Sequence, residues 1–115
     1  MSAYSNRVIA DGAVTLWRLN ETSGTTAVDM IGGNNGTISG GVTLGQAGAL
    51  SDGDKAFQYN GTSSAKVIVP TGAYQTFGTG PVTLECWVKL LGAAAAYSFV
   101  DAHNSVSASA GIAVF

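Results

Sequence analysis

Between Asn20 and Gly41 the sequence reads "NETSGTTAVDMIGGNNGTISGG". No helix can run through it. Each glycine costs a helix about 1 kcal/mol relative to alanine, and the threonines lose rotamer freedom against the preceding turn. The stretch reads as a long glycine-rich connection, with Asn35-Gly36 its strongest turn signal. A chain that spends so many residues on turning has room around them for short strands only.

The rest of the chain fits that constraint. Sixteen glycines, two prolines and 46% hydrophobic residues in 115, with only 10% charged, describe a folded domain rather than a disordered tail. The length allows one domain with a modest core. A turn at Asp11-Gly12 leads into an alternating strand from Ala13 to Leu19, which carries Trp17. "VTLG" (Val42 to Gly45) is a second short strand. A hairpin follows: Ala56 to Tyr59, a turn around Asn60-Gly61, then Ala65 to Val69, stopped by Pro70. "GPVTLECWVKLL" is the clearest strand, with Val82, Leu84, Cys86 and Val88 on one face and Thr83, Glu85, Trp87 and Lys89 on the other. A strand from Tyr97 to Asp101 and another at "GIAVF" complete the pattern, which is antiparallel and all-β. Residues 1–12 read as a lead-in and 13–115 as the domain.

Three stretches together resemble the LamG-like jelly roll of the concanavalin A-like lectin/glucanase superfamily: "AVTLWRLNETSGTTAVDMIGGNNGTISGGVTLG", "KAFQYNGTSSAKVIVP" and "PVTLECWVKL". Their order and spacing follow the family from residue 13 to residue 89. The resemblance implies an antiparallel β-sandwich of jelly-roll topology. It also implies a chain incomplete at its C-terminus, because the family fold continues well past Phe115 and half a jelly roll has open edges.

Charge and cysteine content narrow the function. The formal net charge is −2, and the five basic residues are scattered, so no patch is available to neutralise a phosphate backbone. The single cysteine, Cys86, sits in an apolar run and reads as a small buried thiol. There is no signal-peptide pattern and no apolar run long enough to cross a bilayer. A product made in the cytoplasm and released by lysis fits that start. The glycosylation patterns at Asn20, Asn35 and Asn60 are chance matches in a sequence rich in Asn, Gly and Thr.

Candidate site residues fall into two sets. Trp17 and Trp87 are stacking platforms for a pyranose, with Tyr74 and Phe77 as loop aromatics, or else the two tryptophans are packing residues. Asp29 and Asn34 in one loop, and Asp52 and Asp54 in a "DGD" turn, offer oxygens to calcium, which takes six to eight of them. The alternative for these residues is hydrogen bonding to their own loop backbone, as Asx turns do. Glu21 reads as a partner for loop amides. Glycoside hydrolysis needs two carboxylates flanking one bond, and Glu85 stands alone on its strand, so no catalytic residues are assigned. The resemblance implies a non-catalytic structural or adhesive module of a bacteriophage virion protein (tail, fibre or capsid decoration). Its partners would be other virion subunits or copies of itself, and it would contact a host-surface glycan. The alternative is a carbohydrate-binding module of a larger secreted bacterial protein.

Overall fold

The computed structural model describes residues 1–70, 81 and 83–92. The chain divides into two units, Met1–Thr83 and Leu84–Phe115, and each is taken by itself. The first unit holds one short helix and five strands in two antiparallel sheets: α1 (Ala3–Ala10), β1 (Thr26–Ala27), β2 (Gly36–Ile38), β3 (Val42–Ala47), β4 (Lys55–Tyr59) and β5 (Val67–Ile68). One sheet has the order β1-β2-β5 and the other pairs β3 with β4. The β-rich, antiparallel character expected from the sequence is present in these residues.

Helix α1 was not expected in the lead-in, and its ends explain it. Ser2 caps the N-terminus by accepting a hydrogen bond from the Ser5 amide at 3.2 Å. At the other end Gly12 N–H reaches Ile9 and Ala13 N–H reaches Val8, with Gly12 at φ +87. That pair of bonds is a Schellman closure, which needs a residue in the left-handed region where glycine is at ease. Arg7 and Asp11, four apart and exposed, form an ion pair of 2.9 Å. The Asp11-Gly12 turn is therefore real, but it ends a helix instead of opening a strand.

The strand expected from Ala13 to Leu19 does not form. Its only pairing is an isolated antiparallel bridge between Trp17 and Asp29, and Leu19 adopts φ 55. A leucine in that region costs roughly 1–2 kcal/mol and breaks any ladder at that point. The Leu16 amide goes instead to the Asp29 carboxylate.

Strand β3 extends the expected "VTLG" to Ala47, and β4 opens one residue before the expected Ala56. They pair with a β-bulge that sets Leu44 and Gly45 opposite Phe57. The expected hairpin of β4 with β5 is not what forms. The chain does turn at Asn60-Gly61, but β4 pairs with β3 while β5 pairs with β2. Ser39 supplies the reason. Its one hydroxyl proton is shared between the carbonyls of Ser64 and Lys66, and its oxygen accepts from Lys66 N–H at 3.2 Å, drawing the start of β5 to the end of β2.

Asn35-Gly36 is not a turn either. The turn falls at Met30 to Gly32, and Gly36 is the buried first residue of β2. A Cβ on Gly36 would stand 2.5 Å from Val67 Cγ1, so glycine there permits the close approach of β5 to β2. Among the described residues the only fully buried hydrophobic side chain is Ala27.

In the second unit, residues 84–91 form no strand, although this stretch has the best alternation in the sequence. Alternation yields a strand only where a ladder is available, and neither described sheet includes these residues. Cys86 is exposed, not buried. The strands expected at Tyr97–Asp101 and at the C-terminus lie outside the described residues.

Gly36→Ala should therefore destabilise the first unit by about 1–3 kcal/mol through overpacking against Val67. Urea denaturation measures this, and the double variant Gly36→Ala, Val67→Ala should recover part of the loss.

Candidate functional site

The polar residues of the first unit converge on residues 16–21, which run between two loops. Asp29 is 5% exposed, and its carboxylate accepts four backbone amides: Leu16 at 2.9 Å and Ile31 and Gly32 at 3.1 Å on one oxygen, and Asn34 at 3.0 Å on the other. Asn34 Nδ2 approaches the second oxygen at 3.5 Å. The Asp29 amide in turn donates to Asn35 Oδ1, and Met30 N–H donates to Leu16 O. Gly32 is needed here because a Cβ would lie 2.8 Å from Asp29 Oδ2, Asn34 Nδ2 and Val14 O. Burial pushes the Asp29 carboxyl up, but the amides of Leu16, Ile31, Asn34 and Gly32 together outweigh it and hold the group below the usual carboxylate range.

Trp17 closes this loop from the side. It is half-buried, and its indole N–H donates to the Asn34 carbonyl at 3.0 Å. The indole edge thus pins the backbone that Asp29 gathers. Glu21 Oε1 accepts the Val28 amide at 2.8 Å, and its second oxygen is enclosed without a hydrogen-bond partner.

On the other side, Arg18 and Asn20 hold the loop between β3 and β4. Arg18 makes a two-pronged contact with Asp54, Nε to Oδ2 at 3.2 Å and Nη2 to Oδ1. That fork-to-carboxylate bond raises the guanidinium pKa and lowers that of Asp54. Asn20 Oδ1 accepts the Lys55 amide at 2.6 Å where β4 begins. Asp52 caps the Asp54 amide at 3.1 Å in an Asx turn.

An open depression of about 230 Å³ lies along this segment, lined by Arg18, Asn20, Glu21, Val28 and Met30. Two apolar side chains face three polar ones across it. No sequence pattern announces it, because its residues come from both sides of the Thr22–Thr25 turn.

Of the candidate calcium residues, Asp29 and Asn34 do come together, but the oxygens of Asp29 are occupied by N–H groups whose positive ends point at them. A cation would have to displace four amides to reach the same lone pairs. Asp52 and Asp54 serve a separate turn and the Arg18 ion pair. Among the described residues no three acidic, histidine or cysteine side chains gather. Of the aromatic candidates, Trp17 is committed to the loop, Trp87 stands in the second unit with 64% of its surface exposed, and Tyr74 and Phe77 lie outside the described residues. Sequence reasoning missed the Arg18–Asp54 pair, whose members are far apart in the chain. The scarcity of charge, five basic and seven acidic residues, was the one available hint that each is placed for a reason.

Asp29→Ala leaves several loop amides without an acceptor and should cost about 2–4 kcal/mol, measured by thermal or urea unfolding. Because the carboxyls of Asp29 and Asp54 titrate lower folded than unfolded, their stabilisation is full above the unfolded value of about 4 and is lost as pH falls through the folded values. Unfolding free energy measured against pH should fall on the acid side of about 4, and fall less steeply in Asp29→Asn. No family model, no curated protein and no solved structure matches the chain.

Proposed function

We propose that this chain is a non-catalytic adhesive and structural module of the LamG-like jelly-roll type, carried on a bacteriophage virion protein and directed at host-surface glycans. The observation that carries the reading is the exposure of apolar side chains between residues 84 and 91: Leu84, Trp87, Val88, Leu90 and Leu91 are each between 43% and 67% exposed. Apolar area gathered on a short stretch is disfavoured in water and is the usual mark of a surface that meets a partner. Trp87 adds a flat face of the kind that stacks on the C–H side of a sugar ring.

Five of the seven carboxylates support the non-catalytic part. Asp11 pairs with Arg7, Asp54 with Arg18, Asp29 holds four amides, and Glu21 and Asp52 each hold one. Each of them holds structure in place. No helix among the described residues is long and apolar enough to cross a membrane. A carbohydrate-binding module of a secreted bacterial protein would use the same tryptophan, and the native source separates the two.

Mass spectrometry of purified particles from that source should recover this polypeptide at virion stoichiometry. Its recovery only in a secreted, particle-free fraction would overturn the virion reading and favour the carbohydrate-binding module. On an immobilised glycan panel Trp87→Ala should keep the wild-type melting temperature and weaken binding about tenfold, the worth of one aromatic contact. Equal binding by the variant removes Trp87 from the site.

A further inference from the structure

We propose that Asn60-Gly61 is a built-in site of spontaneous deamidation, and that Asn35-Gly36, the same dipeptide elsewhere in the chain, is protected from it. Asn-Gly is the sequence in which a backbone amide nitrogen most easily reaches the preceding carboxamide, because glycine puts no side chain in the way. What separates the two copies is what holds each one.

Asn60 and Gly61 are exposed in the connection between β4 and β5, with Gly61 at φ +81. Asn60 Oδ1 accepts two hydrogen bonds from one residue, the Thr62 amide at 3.0 Å and the Thr62 hydroxyl at 2.7 Å. This Asx turn folds the carboxamide back over the Gly61 peptide unit. It also aims two donors at the oxygen on which negative charge develops when the carboxamide carbon is attacked, the arrangement that stabilises a tetrahedral intermediate.

The step balances without any co-reactant beyond water. The Gly61 nitrogen gives its proton to solvent and its electron pair forms a bond to Asn60 Cγ, while the carbonyl pair moves onto Oδ1, held by Thr62. The pair returns, the Cγ–Nδ2 bond breaks, and nitrogen leaves as ammonia after taking a proton from solvent. Water then opens the resulting succinimide at either carbonyl. One product is aspartate at position 60; the other is isoaspartate, which lengthens the main chain by one methylene between β4 and β5.

Asn35 has the same neighbour but not the same freedom. Asn35 is exposed as well, and its Oδ1 likewise accepts a hydrogen bond, from the Asp29 amide at 3.0 Å; what differs is how the attacking nitrogen is held. Gly36, which would supply the attacking nitrogen, is buried at the start of β2, in register with Ala27 and against Val67. Attack there requires β2 to leave both its neighbours first, an opening that holds the reaction back by the equilibrium constant for that local unfolding.

The test is peptide mapping by mass spectrometry of the folded chain during incubation at neutral pH, following ammonia loss and then the acid products at each site. Asn60 should convert about a hundredfold faster than Asn35 in the folded chain, two decades being the effect of a modest local opening cost. In denaturant the two sites should convert at similar rates. Thr62→Val, which keeps the amide donor and removes the hydroxyl, should slow Asn60 about tenfold, one hydrogen bond's worth. Equal rates at Asn35 and Asn60 in the folded chain would overturn the protection of Asn35. An Asn60 rate that Thr62→Val leaves unchanged would overturn the role of the Thr62 hydroxyl.

Discussion

The carboxylate of Asp29 is the interaction on which the first unit depends. The chain from Ile31 to Asn34 turns so tightly that the amides of Ile31, Gly32 and Asn34 face inward, away from any ladder. One ionised carboxylate has enough lone pairs to take these three, together with Leu16 from the segment opposite. Much else follows from that choice. Gly32 has to lack a side chain because the carboxylate lies against it, and Leu16 and Met30 are brought into bonding distance. Trp17 can then reach over the loop to Asn34. Each contact is possible because Asp29 has already drawn the two stretches together.

The same device recurs along residues 16–21. Arg18 grips Asp54, Asn20 holds the start of β4, and Glu21 holds Val28 beside β1. With Ala27 the only fully buried hydrophobic side chain among the described residues, side-chain-to-backbone bonds carry much of the organisation that a larger core would supply. Such networks are cooperative: complete, they fix one arrangement, and with a member missing they leave buried donors unsatisfied. Leu19, strained at φ 55 between Arg18 and Asn20, is where that fixing shows. Neighbours bonded on both sides hold a residue in a conformation it would leave if free.

These contacts explain which parts of the structure could be read from the sequence. Strands β3 and β4 were legible because alternating residues flank them and a glycine-aspartate turn separates them. The role of Glu21 as a partner for a loop amide was legible too, as was the backbone bonding of Asp29 offered as the alternative to calcium. The strand at Ala13–Leu19 was misread because its alternation is genuine but the Leu16 amide goes to the Asp29 carboxylate and Leu19 turns the backbone out of the extended region. The β4–β5 hairpin failed for a similar reason: a good turn at Asn60-Gly61 says where the chain bends, while Ser39, far away in sequence, decides which strand β5 joins. Helix α1 escaped notice because its evidence lies in caps only a few residues apart, Ser2 at one end and Gly12 at the other. The Arg18–Asp54 pair left no local pattern at all.

Two of the three stretches that resemble the LamG-like family draw on residues that build this network: Trp17, Glu21, Asp29, Asn34 and Asn35 in the first, and the Asn60-Gly61 turn in the second. All of them are engaged with backbone or with a neighbouring turn. Residues used in that way are constrained by the fold, since replacing any one strands a partner, and they are not free to be tuned to a ligand. A pattern made of them can therefore pass between proteins with different roles, and what it speaks to is architecture. On the proposed reading, recognition falls to side chains outside the network. In the described residues these are the exposed apolar side chains from Leu84 to Leu91.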